Sequence, residues 1–192
     1  MSLLGLPFEL VNVDLAAGAH KQPEFLAMNP FGQLPVIQDG AATLADSNAI
    51  LVYLARSYAA NAEQCLPSEP MAAAQVQRWL SIAAGPLAAG PLAFGPAYAR
   101  VIQLFKSPAS PDDAIARAHG LFKVMEQQLG ASAFLAGSAA TLADVANYSY
   151  VARAPEGNVS LLGYPKLRAW LARVEALPGF VPMVKTPIGL TE

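Results

Sequence analysis

Three small groups of residues near the front of the chain could do chemistry together: His20-Lys21, Gln33-Leu34-Pro35 and Asp46-Ser47. Leu34 precedes a proline, which removes one ladder donor and holds Leu34 extended, so its own N–H and C=O could face a peptide ligand. An X-Pro bond is the one kind that turns cis cheaply, and a cis Leu34-Pro35 would aim that backbone into a cleft. Asp46 and Ser47 stand at the start of an apolar helical run, where free N–H groups and the positive dipole end favour a carboxylate. Capping alone would place the same two letters there. His20-Lys21 adds a cation upstream, although such a pair by itself usually marks a solvated face.

The elements that must position these groups follow from periodicity and breakers. Residues 8–13 alternate apolar and polar around Glu9 and Asn12, which predicts a strand, and residues 23–28 read as a short helix ending before Asn29-Pro30. Residues 34–38 and 41–44 form a hairpin across Asp39-Gly40, Leu44 opens the next helix, and residues 46–58 carry Ile50, Leu51, Leu54 and Tyr58 at helical spacing. The expected order is strand, helix, strand, strand, helix. Asn61, Pro67, Ser68 and Pro70 mark a linker, and from Met71 onward the pattern is helical, with stripes over 72–105, 112–129, 142–153 and 166–176. Thr141-Leu142-Ala143-Asp144 has the form of a capping box, Thr141 and Asp144 satisfying each other's amides.

The stretch Asn29-Pro30-Phe31-Gly32-Gln33-Leu34-Pro35-Val36-Ile37, followed by Leu44-Ala45-Asp46-Ser47-Asn48-Ala49-Ile50, closely resembles the glutathione-binding half of the glutathione transferase family. Gln33-Leu34-Pro35 looks like its cis-proline motif and 44–50 like its helix-capping serine motif. The segment around His20-Lys21 is similar to plant-like and bacterial members that hold the glycine carboxylate with a basic side chain. Thr141 and Asp144 match a folding element of the family's second domain, and Tyr164-Pro165, Trp170, Arg173 and Leu177-Pro178-Gly179-Phe180 carry the likeness to the end of the chain.

This resemblance implies an α+β thioredoxin-like domain over 1–60, incomplete at its start, a linker over 61–70, and an all-α helical bundle over 71–192. It implies glutathione as co-substrate, held by His20, Lys21, Gln33, Leu34, Pro35, Asp46 and Ser47, with Asp46 standing where the family more often has Glu or Gln. It further implies a homodimer and conjugation of the glutathione thiolate to a small hydrophobic electrophile, with Tyr98, Arg100, Val101 and Phe105 as candidates for the electrophile pocket. Each of those four is equally a core candidate, since apolar residues at helical spacing usually pack inward.

In the resembled family the turn after the first strand supplies the Ser, Tyr or Cys that hydrogen-bonds the glutathione sulfur and lowers its pKa. A strand, loop and helix of ordinary length need about 20 residues, and residues 2–7 look like the tail of that first helix. The expectation is therefore that no catalytic residue lies in this chain, that one would precede Met1, and that residues 1–15 are disordered, rearranged or swapped. A non-catalytic glutathione-binding or scaffold protein is the competing reading.

Composition narrows the alternatives. The 192 residues are 54% hydrophobic and 14% charged, with a net charge of -2 and a pI near 5.7, so a sizeable core is expected and nucleic acid is not an expected partner. The uncharged run 79–99 is interrupted at Gly85-Pro86, Gly90-Pro91 and Gly95-Pro96, which argues for a broken buried helix and against a membrane span. One cysteine and no secretory leader point to the cytoplasm, and no metal is expected. Cys65 lacks a positive neighbour and reads as structural, so a thiol-disulfide oxidoreductase has no reactive cysteine near its first helix.

Overall fold

The structure is a computed structural model that describes residues 1–88 and 95–191. Its amino-terminal part is built on a hairpin. Strands β1 (Val36–Asp39) and β2 (Ala42–Ala45) pair antiparallel, with Val36 opposite Ala45 and Asp39 opposite Ala42. Helix α1 (Pro23–Met28) precedes them, started by a proline whose fixed φ suits the first helical position, and buries Phe25. Helix α2 (Ser47–Tyr58) follows β2 directly and buries Ile50, Leu54 and Ala55. Tyr53 and Tyr58 of α2 both donate to the Asp39 carboxylate, tying the helix to the hairpin turn; the Tyr53 bond is 2.9 Å.

Two expectations fail here. Leu44 lies in β2 opposite Ile37, so the helix starts at Ser47 and not at Leu44. Residues 8–13 form no strand: Phe8, Leu10 and Val11 are 52%, 74% and 72% exposed, and the described sheet has two strands only. Alternating side chains supply a pleated face, but a strand also needs a neighbour to take its amides, and residues 8–13 make no backbone hydrogen bond to either outer edge of the β1–β2 pair. The chain instead makes 3-10 turns at Ser2–Leu4 and Ala19–Lys21. The observed order is helix, strand, strand, helix.

The carboxy-terminal part is helical among the described residues. The segment read as linker contains the short helix α3 (Ala62–Cys65), and α4 (Pro70–Ile82) begins where Glu69 accepts the amides of Met71 at 3.0 Å and Ala72 at 2.7 Å. Gly85 and Pro86 fall in a wide turn of π type, Ala83–Leu87, and Gly95 precedes α5 (Pro96–Leu104); Gly90-Pro91 lies outside the described residues. Helices α6 (Asp112–Ala131), α7 (Leu142–Ala152) and α8 (Pro165–Glu175) complete the bundle. On α6 the buried residues Ala114, Ala118, Phe122, Met125 and Leu129 recur every three or four positions, giving one apolar stripe that meets Trp79, Val151, Leu167 and Trp170 in the core.

The capping box organises this core. The Thr141 N–H donates to Asp144 Oδ2 at 2.9 Å, and Thr141 Oγ1 accepts the amide of Ala143 at 3.2 Å. Asp144 does more than cap α7: its Oδ1 accepts from the Leu135 amide at 2.9 Å and from Trp170 Nε1 at 2.8 Å, so a fully buried carboxylate joins α7, α8 and the loop before α7. Burial pushes its pKa up, against the four hydrogen bonds that hold it down. No described helix is long and apolar enough to cross a membrane.

Candidate functional site

The hairpin register builds the site. Because Val36 faces Ala45, the residues just before β1 and just after β2, Leu34-Pro35 and Asp46-Ser47, emerge side by side at one end of the hairpin. The Leu34-Pro35 bond is cis, and the N–H and C=O of Leu34 make no hydrogen bond among the described residues. Asn29, buried where α1 ends, fixes the approach: its Nδ2 donates to the Gln33 carbonyl at 2.7 Å and its Oδ1 accepts from the Phe31 amide at 3.2 Å.

Asp46 caps α2 through Oδ1, which accepts the Ala49 amide at 2.9 Å. It does so with φ +77, a conformation rare outside glycine that costs on the order of 1–3 kcal/mol and that sets the angle between β2 and α2. Among the described residues the amides of Ser47 and Asn48 have no partner at the positive end of the helix, and the Ser47 side chain is exposed. Lys21 reaches the same edge. Its Nζ donates to the Gly32 carbonyl at 3.4 Å, and Gly32 must be glycine: φ is +60, and a Cβ would meet the His20 carbonyl oxygen and Lys21 Nζ at 2.8 Å each. Among the described residues the ammonium faces no carboxylate in an ion pair. His20 is half-buried with Nδ1 turned inward and unpartnered. Lys21, Gln33, Leu34, Pro35, Asp46 and Ser47 are all exposed around one surface.

The four residues named for an electrophile pocket separate into two sets. Tyr98 and Val101 stand at i and i+3 on α5 and Phe105 just past its end at i+7; Tyr98 is half-buried against the core and Phe105 is 76% exposed. Arg100 leaves on another face, where its Nε donates to Glu156 Oε2 at 2.6 Å. That contact is close because the 3-10 turn Ala154–Gly157 presses on α5: a Cβ at Gly157 would lie 2.5 Å from the Arg100 amide nitrogen. Of two described clefts, of about 540 and 410 Å³, neither takes its lining from these four residues. Cys65 is half-buried, its thiol donates to Asn61 Oδ1 at 3.5 Å, and burial pushes the thiol pKa up, so it is not a poised nucleophile. Among the described residues no three His, Cys, Asp or Glu side chains gather as a metal site.

The likeness to known proteins covers both parts. The glutathione S-transferase N-terminal domain matches residues 1–56, and the glutathione S-transferase C-terminal domain matches residues 89–178. Glutathione S-transferase 3 of Zea mays is 37% identical over 189 residues, spanning 92% of this chain and 81% of the maize protein. This chain belongs to the glutathione S-transferase family. Glutathione S-transferase theta-2B of Homo sapiens is 34% identical over 91% of this chain and 73% of its own length. Among solved structures, a glutathione S-transferase from Pseudomonas fluorescens superposes with a TM-score of 0.84 at 36% identity, covering 96% of this chain and 90% of that one. A Drosophila mojavensis glutathione transferase homolog solved with bound glutathione gives 0.80 at 27% identity, over 91% and 78%. The fold is accordingly a thioredoxin-like glutathione S-transferase domain with a small sheet, followed by the family's helical domain.

Two residues of the site escape a reading along the chain. Asn29 looks like a helix stop and turns out to hold Gln33. Asn48, the second residue of α2, donates to the Leu80 carbonyl of α4 at 2.8 Å and thereby fixes the helix N-terminus against the second domain. Polar residues at turn and cap positions were the available signal for both, but their partners lie elsewhere in the fold.

Proposed function

We propose that this glutathione S-transferase relative binds reduced glutathione on the surface formed by Lys21, Gln33, Leu34, Pro35, Asp46 and Ser47, and conjugates its thiolate to a small hydrophobic electrophile. The observation that carries the reading is the unpaired main chain of Leu34 standing beside the unpaired amides that begin α2. A tripeptide with a carboxylate at each end fits this spacing of charge. One carboxylate lies near the Lys21 ammonium, with His20 beside it; the cysteinyl backbone pairs with Leu34; the γ-glutamyl carboxylate sits on the Ser47 and Asn48 amides. Asp46 keeps Oδ2 for the γ-glutamyl ammonium, since Oδ1 serves the cap. The thiolate attacks the electrophilic carbon, and the leaving group departs with the electron pair. On the same reading the protein is a cytoplasmic homodimer, with its domains meeting in the segment 61–70.

Isothermal titration with reduced glutathione tests the site. Saturable binding is expected with the Ser47 hydroxyl donating to the same carboxylate as the two amides, so Ser47→Ala, which keeps the amide and removes the hydroxyl, should weaken it about tenfold, because a hydrogen bond to a charged group contributes on the order of 1.5–3 kcal/mol. Heat that never saturates would sink the proposal. Turnover of a chlorodinitrobenzene, with chloride leaving, then separates an enzyme from a protein that holds glutathione without conjugating it.

A further inference from the structure

The helical domain packs α7, which carries Tyr150, beside the start of α2. Asn48 at the start of α2 and Asn147 of α7 grip consecutive carbonyls of α4: Asn48 Nδ2 donates to Leu80 O at 2.8 Å, and Asn147 Nδ2 to Trp79 O at 3.0 Å. These two bonds bring α7 beside the N-terminus of α2. Tyr150 lies three residues beyond Asn147, on the same face of α7. Its ring packs against the core and the residue stays partly exposed, while its hydroxyl makes no hydrogen bond among the described residues. Burial, and then the charge of Asp46, push the phenol pKa up, so the group is a protonated donor throughout the neutral range and senses the Asp46 carboxylate.

We propose that Tyr150 is a substrate-binding residue of the second domain, its phenol donating a hydrogen bond to the α-carboxylate of the γ-glutamyl group beside Asp46 and Ser47. The proposal rests on the glutathione reading above. The γ-glutamyl end carries an ammonium and a carboxylate on one carbon, and Asp46 answers only the first. The Ser47 and Asn48 amides take part of the second, and a neutral donor completes it without adding a cation that would compete for Asp46. Tyr150 therefore discriminates for a free γ-glutamyl terminus, and it does so from the opposite domain to the other contacts.

The test compares wild type, Tyr150→Phe and Lys21→Ala by isothermal titration with two ligands, reduced glutathione and γ-glutamylcysteine, which lacks the glycine. The phenylalanine keeps the packed ring and removes only the hydroxyl. Tyr150→Phe is expected to weaken both ligands by the same factor, about tenfold, whereas Lys21→Ala weakens glutathione alone. Equal affinity of wild type and Tyr150→Phe for glutathione, with wild type binding saturably, overturns the role of Tyr150 and leaves the glutathione site standing. Loss confined to glutathione in Tyr150→Phe also overturns it, by moving the contact to the glycine end. Absence of glutathione binding in wild type overturns both.

Discussion

Removing the Asp144 carboxylate should cost the helical domain more than any other single truncation at a cap. Four donors converge on it: the Leu135 amide at 2.9 Å and Trp170 Nε1 at 2.8 Å on one oxygen, the Thr141 amide at 2.9 Å and Thr141 Oγ1 at 3.3 Å on the other. In Asp144→Ala the hydroxyl can rotate away, but the two amides and the indole N–H stay buried without an acceptor, at roughly 1–3 kcal/mol each. Relief of a buried charge, the same burial that pushes this pKa up, offsets part of that. A net loss of about 4 kcal/mol is expected, in the range for breaking a buried charged network. Urea unfolding at neutral pH, followed by the fluorescence of Trp79 and Trp170, reads this directly because both indoles are fully buried in the helical core. With a slope of about 2 kcal/mol per molar urea, the midpoint should fall by roughly 2 M. Thr141→Ala, which loses one cap contact, should fall by only about 1 kcal/mol. A midpoint within about 0.5 M of wild type for Asp144→Ala, at unchanged slope, would refute the argument that these donors have no other acceptor.

Glu156 predicts an acid limb. Burial alone would raise its pKa, but the Thr186 hydroxyl at 2.6 Å and amide at 3.1 Å, together with Arg100 at 2.6 Å, outweigh burial and hold it below 4.5. A depressed carboxylate contributes stability above its unfolded pKa and loses it as pH falls through the lower folded value. Glu156→Gln should therefore be about 2 kcal/mol less stable than wild type at pH 7, the gap narrowing towards pH 3; a gap constant with pH contradicts this. Tyr58 predicts an alkaline limb: its hydrogen bond to Asp39 pushes the phenol up to about 12, so the contact is intact below pH 10 and lost as pH rises through about 12. Absorbance titration at high pH should show that component vanish in Tyr58→Phe and move back towards 10 in Asp39→Asn, and an unmoved component in Asp39→Asn rules out the carboxylate as the cause.

What could be read along the chain was whatever is local. The boundary of α7 and its Thr141-Asp144 box, the proline start of α1 and the sequence neighbours of Leu34 and Ser47 depend on residues within a few positions of one another. The expected strand over 8–13 failed because alternation describes one face of one strand, whereas pairing is a property of two. Arg100 was grouped with Tyr98, Val101 and Phe105 because all four were read on one helix, yet its partner Glu156 is 56 residues away and takes it to another face. Asp46 and Tyr150 show the same limit from the functional side. The acid at 46 is shorter than the family's usual residue, and the capping bond from Ala49 draws it further onto its own helix. Taken alone along the sequence, that is a weakened contact. In three dimensions α7, which carries Tyr150, lies beside the start of α2, held there by Asn48 and Asn147 on adjacent carbonyls of α4. On the proposal made here, the shortened acid and the distant tyrosine are complementary: a longer side chain at 46 would crowd the space that the Tyr150 hydroxyl uses. Asp46→Glu combined with Tyr150→Phe should consequently bind glutathione better than the two single changes predict by simple addition, and additive losses would separate the two residues.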